Sequence, residues 1–281
     1  MSKTSLVKAN NFDRTITYAL LILLSLVFIL PFVWLVSTSL KPESDAVAFP
    51  PALFPNEVKW DNYAKVFELV PFGRFYLNTI IITSCSVIGT ILSSSIVAYG
   101  FARISAKGKN FWFVMLLATM MLPSQVTMIP VYLIFSRLHW INTFLPLIVP
   151  AFMGSAFFIF LLRQFFKTIP RELEDAAIID GCSTFGIFAK IILPLSGPAI
   201  TTVAILSFMW SWNDFMSPLI YLNDQVKFTL AIGLQLFNGV QNSLWGPGMA
   251  ASSMVIAPLV VLFFLAQRFF IEGIALSGIK G

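Results

Sequence analysis

Charged side chains are scarce in this sequence. They make up 11% of its 281 residues, while hydrophobic residues make up 58%. An average soluble domain carries roughly 25% charged residues, and a chain of this length needs that charge to cover its surface. The composition therefore excludes an ordinary soluble protein and predicts a chain whose main solvent is lipid.

Cysteine and histidine are also rare, with two of the first and one of the second. That excludes a disulfide framework and a His-rich metal cage. No phosphate-binding loop of the Gly-x-x-x-x-Gly-Lys-[Ser/Thr] type occurs, and no paired carboxylates fall within the long apolar stretches. We therefore predict that the chain is not an enzyme and holds no catalytic site, metal or cofactor. The net charge of +5 indicates orientation in a membrane and not a nucleic-acid partner.

Six stretches are apolar and long enough to cross a bilayer, which takes about 20 residues. They cover residues 16–40, 78–102, 111–135, 142–162, 201–222 and 249–267. Five of them contain no charged residue, and the fifth in order contains one, Asp214. The sequence therefore predicts an all-α integral membrane protein with six transmembrane helices.

The distribution of Lys and Arg predicts the direction of these spans, because basic residues concentrate on the cytoplasmic side. With the N-terminus inside, the inner segments hold twelve of the 18 basic residues and the outer segments hold six. We therefore expect a multi-pass protein of the cell membrane with both termini in the cytoplasm.

The unequal lengths of the connecting segments suggest three parts. Residues 1–76 would hold an inner tail, the first span and an extracytoplasmic loop rich in proline. Residues 77–270 would form a core of five spans, and residues 271–281 a cytoplasmic C-terminal tail. The longest inner segment covers residues 163–200, between the fourth and fifth spans.

Polar and proline residues interrupt the spans. Proline removes a backbone donor, which favours a kinked bundle around a pathway, although ordinary bending is the alternative. Polar side chains in lipid are costly and should face protein or water. Carboxamides and indole rings suit sugar hydroxyls and sugar faces, but hydrogen bonding between helices explains them equally, above all at Asp214. The candidate pathway residues are Gln125, Trp210, Trp212, Asn213 and Asp214.

The inner segment contains a pattern typical of a short helix. Pro170 suits a first helical turn, and Glu172, Glu174 and Asp175 follow where the helix dipole favours negative charge. Gly181 is placed to end this helix, and a second helix can run from about residue 184 until Pro194 stops it. The small residues Ala176 and Ala177 would let another backbone approach closely, although a merely solvated hairpin is the alternative.

This segment resembles the hallmark of the permease subunits of binding-protein-dependent ABC importers. That hallmark is Glu-Ala-Ala, three residues, Gly, nine residues, Ile, one residue, Leu-Pro. The chain matches six of its seven positions, with Asp in place of Glu at the first. The six matching residues are Ala176, Ala177, Gly181, Ile191, Leu193 and Pro194, and Asp175 stands at the first position.

Further phrases are similar to the carbohydrate permeases of the maltose-permease type, and six spans match the smaller permease of that type. They include the seven residues from Phe160, the four from Trp212 to Phe215, and the last four residues. The resemblance implies a heterodimer with a second permease, two ATPase subunits that bind ATP and Mg, and an extracytoplasmic sugar-binding protein.

The resemblance also assigns roles to residues. It implies that a cytoplasmic coupling helix between spans four and five contacts the ATPase and that the C-terminal tail reaches it. The coupling residues are Glu174, Asp175, Ala176, Ala177, Asp180, Gly181, Ile191, Leu193 and Pro194, and the tail residues are Gly278, Lys280 and Gly281.

The function expected from the resemblance is that of a permease subunit in an ATP-driven importer, forming half of the pathway for a di- or oligosaccharide. Three alternatives remain at this stage: an ABC permease for another solute, a self-sufficient secondary transporter, and a membrane enzyme. A secondary transporter should carry titratable groups at membrane depth, where this chain offers Asp214 alone.

Overall fold

The computed structural model describes residues 11–237 and 244–278, and the side chains of residues 14–237 and 244–267 within them. All regular structure in these residues is helical, and no strand occurs among them. The prediction of an all-α protein is confirmed.

Fifteen α-helices, two short 3₁₀-helices and one π-helix follow one another along these residues. They are α1 (Asn11–Ser39), α2 (Glu43–Ala46), α3 (Asp61–Leu69), α4 (Phe72–Arg103), α5 (Lys109–Thr119), α6 (Ser124–Arg137), α7 (Leu145–Ile148), a 3₁₀-helix (Val149–Met153), α8 (Ala156–Phe166), α9 (Glu172–Ile179), α10 (Thr184–Ile187), the π-helix (Phe188–Ile192), α11 (Leu193–Leu195), α12 (Gly197–Trp212), α13 (Met216–Tyr221), a 3₁₀-helix (Gln225–Lys227), α14 (Leu230–Gln235) and α15 (Trp245–Gly278).

Four helical stretches are long and apolar enough to cross a membrane, and two bent helix pairs raise the number to as many as six. The four are Arg14–Ser39, Phe72–Arg103, Leu145–Phe166 and Trp245–Gln267. The bent pairs are α5 with α6, and the helical run Thr184–Leu195 with α12. Five of the predicted stretches coincide with a membrane-length helix or with a bent pair, and the stretch 201–222 overlaps its bent pair only as far as Trp212.

Two of the predicted spans are not straight helices. The stretch 111–135 breaks after Thr119, and α5 and α6 meet at an angle of 96°. Pro123 stands at this break with an extended backbone, because it cannot donate the hydrogen bond that would continue α5. The stretch 201–222 is also divided, since α12 ends at Trp212 and α13 begins at Met216. By contrast, Pro31, Pro130 and Pro258 lie inside continuous helices.

The described chain divides into two compact units. The first holds residues 1–70 and 236–256, and the second holds residues 71–235 and 257–281. The three parts expected from the sequence differ from these units in their boundaries and remain a prediction.

Helix α4 is the central element of the second unit and packs against α8 and α12. Small residues on α4 allow close contact. A Cβ atom at Gly89 would lie 2.6 Å from Cδ2 of Phe152, so only glycine fits there. The main apolar core of this unit includes Ala98, Tyr99, Phe158, Leu162, Phe166, Ala177, Phe188, Ile192 and Val203.

Polar contacts hold the first unit together. The side-chain amide of Asn62 donates to the carbonyls of Ser39 and Lys41, each at 2.9 Å. The buried Lys41 ammonium donates to the carbonyl of Ala52 at 2.6 Å and lies 4.3 Å from the centre of the Trp34 ring. Lys41 is one of the six basic residues in the predicted outer segments. These contacts show that it is a packed residue, with its ammonium held by a carbonyl and an aromatic ring.

Candidate coupling segment and pathway residues

Helix α9 presents one narrow side to the rest of the second unit. Ala177 is buried and Glu174 is partly buried, whereas Asp175 and Ala176 are exposed. Positions 174 and 177 are one turn apart, so they share a face. The structure therefore separates the two neighbouring acids: Glu174 points inward, and Asp175 lies on the side available to a partner.

Gly181 ends α9 in the way that its position in the sequence predicts. Its φ angle is +80°. The amide of Gly181 donates to the carbonyl of Ile178 at 3.0 Å, and the amide of Cys182 donates to that of Ala177 at 2.9 Å. These two bonds form a Schellman motif, which requires a left-handed residue after the helix. Asp180 stands at the cap position and is exposed.

The second helix of the inner segment continues past the predicted stop. Ser183 caps α10 by accepting a hydrogen bond from the amide of Gly186 at 3.1 Å. A π-helical turn follows, and the helical run ends at Leu195 and not before Pro194. Pro194 directly follows the π-helical turn, where the amide of Leu193 donates to the carbonyl of Phe188, so the α-helical bonding pattern has already changed before the proline and the run continues past it. Ile191 and Leu193 are half-buried, and Pro194 is exposed.

A buried arginine joins three helices at the base of this segment. Arg103 is the last residue of α4, and its Nε lies 3.0 Å from Oε1 of Glu174. The two side chains are 4% and 14% exposed. The Nη2 of Arg103 also donates to the carbonyls of Phe166, at the end of α8, and Ile169. Arg103 is one of the twelve basic residues in the predicted inner segments, and nothing in the sequence distinguishes it from Lys107 or Lys109.

Tyr99 makes a second attachment between α4 and the inner segment. Its hydroxyl donates to the carbonyl of Thr184 at 3.4 Å. Its ring centre lies 5.1 Å from that of Phe188, in the π-helix. The run that leads from α10 into α12 is therefore also held by α4.

The outward side of the segment is apolar as well as acidic. Ile178, Ile179 and Phe185 are 59%, 85% and 70% exposed. Exposed apolar side chains of this size on a predicted water-facing segment are typical of a surface that a partner covers.

Cations concentrate next to the coupling segment. Burial lowers the pKa of the Lys167 ammonium, and the charges of Arg163 and Lys109 lower it further. Such a cluster of like charges is typical of the cytoplasmic end of a membrane bundle.

The five candidate pathway residues lie in different surroundings. Trp212 is 3% exposed, and its ring is stacked on that of Phe208 with centres 5.2 Å apart. The Trp212 and Tyr76 rings meet edge to face, with centres 5.8 Å apart. Trp210 is 53% exposed, and its ring centre is 4.9 Å from that of Phe158. Trp212 therefore packs within the bundle, while Trp210 keeps an open face.

The polar pathway candidates lie at helix breaks. Asn213 is exposed and donates to the carbonyl of Met209 at 2.8 Å, at the end of α12. Asp214 accepts from the amide of Ser217 at 3.1 Å, which satisfies a free donor at the start of α13. Gln125 is exposed in the first turn of α6, just after the bend. Their contact with a solute stays a prediction.

Near the start of α4 lies a cavity whose polar lining residues are largely hydrogen-bonded within the protein. Its volume is about 450 Å³, and Arg74, Asn78, Asn142 and Lys227 contribute to its lining. The amide of Asn78 donates to the carbonyls of Val226 and Phe228 at 2.9 and 3.0 Å. The Lys227 ammonium donates to the carbonyl of Asn142 at 2.8 Å. These bonds tie the turn before α14 to α4 and to the segment at Asn142, which indicates a structural role for the polar residues there.

Two further predictions concern the ends of the chain and metal binding. Gly278 is the last residue of α15, whereas Lys280 and Gly281 lie outside the described residues. Among the described residues, no group of three or more His, Cys, Asp or Glu side chains could hold a metal ion.

The environments of Trp212 and Asn213 predict different effects of their removal. Trp212→Ala should destabilise the protein by about 3–5 kcal/mol, because it leaves a cavity beside Phe208 and Tyr76. Asn213→Ala should leave the melting temperature within about 2 °C of wild type, because surface changes cost little, and should reduce solute uptake. Thermal unfolding in detergent and uptake by the same preparations check both. Normal uptake by the Asn213 variant would remove this residue from the pathway.

The fold is that of a helical membrane protein with a short helix, α9, whose Asp175 side is exposed. The family model for the binding-protein-dependent transport system inner membrane component matches residues 90–275. The chain belongs to this family of transport permeases, as the coupling motif predicts.

Known relatives extend the similarity over nearly the whole chain. It is 34% identical over 261 residues to the arabinooligosaccharides transport system permease protein AraQ of Halalkalibacterium halodurans, covering 92% of this chain and 93% of the relative. It is 31% identical to the trehalose/maltose transport system permease protein MalG of Thermococcus litoralis, covering 92% and 94%. It is 30% identical to the diacetylchitobiose uptake system permease protein DasC of Streptomyces coelicolor, covering 94% and 95%.

A solved structure shares the fold. It is the crystal structure of a bacterial ABC transporter involved in the import of the acidic polysaccharide alginate. The TM-score is 0.79 at 23% identity, and the match covers 94% of this chain and 98% of the other. The prediction of an ABC permease fold is confirmed.

Proposed function

We propose that this chain forms one half of the translocation pathway of an ATP-driven carbohydrate importer, for a di- or oligosaccharide. The observation that carries the proposal is the geometry of α9. Its Asp175-Ala176 side and Ile179 are exposed, its opposite side is anchored to α4, and Gly181 closes it with a left-handed residue. The names of the relatives, which specify arabinooligosaccharides, diacetylchitobiose and trehalose/maltose, support a carbohydrate substrate.

The partners follow from the family. They are a second permease, two ATPase subunits that bind ATP and Mg outside this chain, and an extracytoplasmic sugar-binding protein. The lipid bilayer and the second permease would cover the side chains of α1, which are exposed along residues 14–33. The exposed Ile178, Ile179 and Phe185 would be covered by an ATPase subunit.

Transport requires that movement of the ATPases reaches the spans. A pull on α9 acts on α4 through its buried face, and it acts on α12 through the helical run Thr184–Leu195, which meets α12 at a bend of 78°. ATP-driven closure of the ATPases would draw the docked helices together and open the pathway toward the sugar-binding protein. The exposed Trp210, Gln125 and Asn213 would offer an indole face and carboxamides to the passing sugar.

The orientation belongs to the same proposal. The Lys and Arg distribution supports a cytoplasmic position for α9 and both termini, in a protein of the cell membrane. An ATPase partner is cytoplasmic, so the docking role of α9 and the charge distribution require the same direction.

One co-expression experiment tests the proposal. The chain is expressed with the permease, ATPase and binding-protein genes that accompany it, and the tagged ATPase is purified from detergent. We expect the chain to be retained with the ATPase, and uptake of labelled oligosaccharides into proteoliposomes to require ATP and the binding protein. In a Cys85→Ser, Cys182→Ser background, Ser105→Cys should be labelled from the ATPase side alone and Glu57→Cys from the opposite side alone.

Other outcomes would favour the alternatives. Uptake driven by an ion gradient without ATP would indicate a secondary transporter. Competition by an amino acid or another non-sugar solute, with none by oligosaccharides, would indicate an ABC permease of different specificity. Reversed cysteine labelling would contradict the orientation.

A further inference from the structure

We propose that Arg103 and Glu174 form a positioning latch that sets the direction of α9 relative to α4 and α8. The inference rests on the proposed function, because α9 is the helix that would receive the ATPase. It assigns Glu174 to contact within the chain, and leaves the contact with the ATPase to Asp175 and its neighbours.

The first ground is the burial of both charges. Arg103 and Glu174 are 4% and 14% exposed, and their Nε and Oε1 atoms are 3.0 Å apart. Neither of these two atoms has a hydrogen-bond partner, so at these atoms each buried charge is compensated by the opposite charge alone. A buried charge that loses its partner is strongly unfavourable, and the pair therefore resists separation.

The second ground is the fork of the guanidinium group. While Nε faces Glu174, Nη2 donates to the carbonyls of Phe166 and Ile169. Phe166 is the last residue of α8, where carbonyls lack partners within the helix. One side chain from the end of α4 therefore joins the end of α8, the turn after it and the first turn of α9. A lysine could not make this set of contacts, because its ammonium is a point donor on a flexible stem.

The third ground is how little else holds α9. Within the helix, Ala177 is the one buried residue, and its methyl group is small. The remaining side chains, apart from Glu174, are exposed. Ala177 alone would let the helix roll about its contact line, so Glu174 defines which side of α9 faces the partner. A partner pulling on α9 then moves α4 directly through the ion pair.

Reconstitution of the complete transporter tests the latch. Glu174→Gln keeps the shape of the side chain and removes its charge, and Glu172→Gln makes the same change at an exposed position of the same helix. The measurements are ATPase retained per permease, ATP hydrolysis, and sugar transported per ATP. For Glu174→Gln we expect normal retention and a fall in sugar per ATP of about tenfold or more, as for a buried charge left unpaired. Glu172→Gln should match wild type.

Arg103→Lys provides a second measurement that does not depend on the stability of the neutral variant. It keeps the charge and loses the fork, so sugar per ATP should fall by about threefold or more while ATPase retention stays normal. Glu174→Asp should recover part of the loss seen with Gln. If Glu174→Gln is not obtained in the membrane, the sugar transported per ATP by Arg103→Lys tests the latch instead.

The outcomes separate this inference from the proposed function. Failure of the wild-type complex to retain the ATPase or to transport sugar would contradict the proposed function itself. A working wild type with unchanged sugar per ATP in Glu174→Gln, or in Arg103→Lys where that variant decides, would overturn the latch alone. Loss of ATPase retention in Glu174→Gln would also overturn it, since Glu174 would then act in docking.

Discussion

Replacing Asp175 by lysine is expected to abolish ATPase coupling while leaving the chain in the membrane. Asp175 is exposed on the outward side of α9, and no ion pair within the described residues involves it. Its charge is therefore available to a cation of the partner. Removing one side of such a charged contact costs roughly 2–5 kcal/mol, so docking should weaken by well over tenfold. Retention of the ATPase on the purified permease measures this loss directly.

Two matched variants test whether the loss comes from the charge at position 175. Asp175→Glu keeps the charge and restores the residue usual in the hallmark, and it should couple normally. Glu172→Lys makes the same change in charge on the same helix, where it should cost about 0.3–1 kcal/mol through the helix dipole. Normal sugar-stimulated hydrolysis in the Asp175→Lys complex would show that this acid carries no coupling, and docking would have to depend on Ile178, Ile179 and Phe185.

Replacing Gly181 by valine is expected to misdirect α9 without disturbing any span. The residue has a φ angle of +80°, and a Cβ atom built there meets nothing within 4 Å. The cost therefore comes from the backbone and not from a collision with neighbours. Left-handed conformation costs an L-residue roughly 1–2 kcal/mol, and more when the side chain is β-branched. The Schellman bonds at Gly181 and Cys182 should weaken, and binding-protein-stimulated ATP hydrolysis should be lost.

Asparagine supplies the control for this position. Asn tolerates the left-handed region better than other non-glycine residues, so Gly181→Asn should retain most of the stimulated hydrolysis. Gly181→Ala should fall between the two. Equal loss with Asn and Val would mean that partner contact, and not the backbone angle, requires glycine here. Equal activity with Val and Gly would contradict the role of the turn.

Much of the fold follows from local properties of the sequence. Long apolar runs predict helices in lipid wherever they occur, and every predicted stretch is largely helical, although 201–222 is divided between α12 and α13. The sequence does not predict where a proline bends a helix, because Pro130 and Pro123 lie in the same stretch and only Pro123 stands at a break. The difference depends on whether neighbouring helices stabilise the continuation.

In the coupling segment, too, some features depend on neighbouring residues and others on contacts with distant helices. The acidic first turn and the terminal Gly181 were predictable, since capping and the left-handed turn depend on a few neighbouring residues. The extension of the second helix through Pro194 was not, because it follows a π-helical turn whose Phe188 packs on Tyr99 of the distant helix α4.

The sequence by itself determined the solvent of this protein, its helical class, the position of its coupling motif and the need for glycine at 181. Each depends on composition or on residues within one or two turns of each other. The tertiary structure alone decided that Glu174 is inside and Asp175 outside, that Trp212 is packed, and that Arg103 is a partner and not a free cation. Those facts depend on how α4, α8 and α9 pack, and contacts between residues far apart in the chain arise only when whole helices meet.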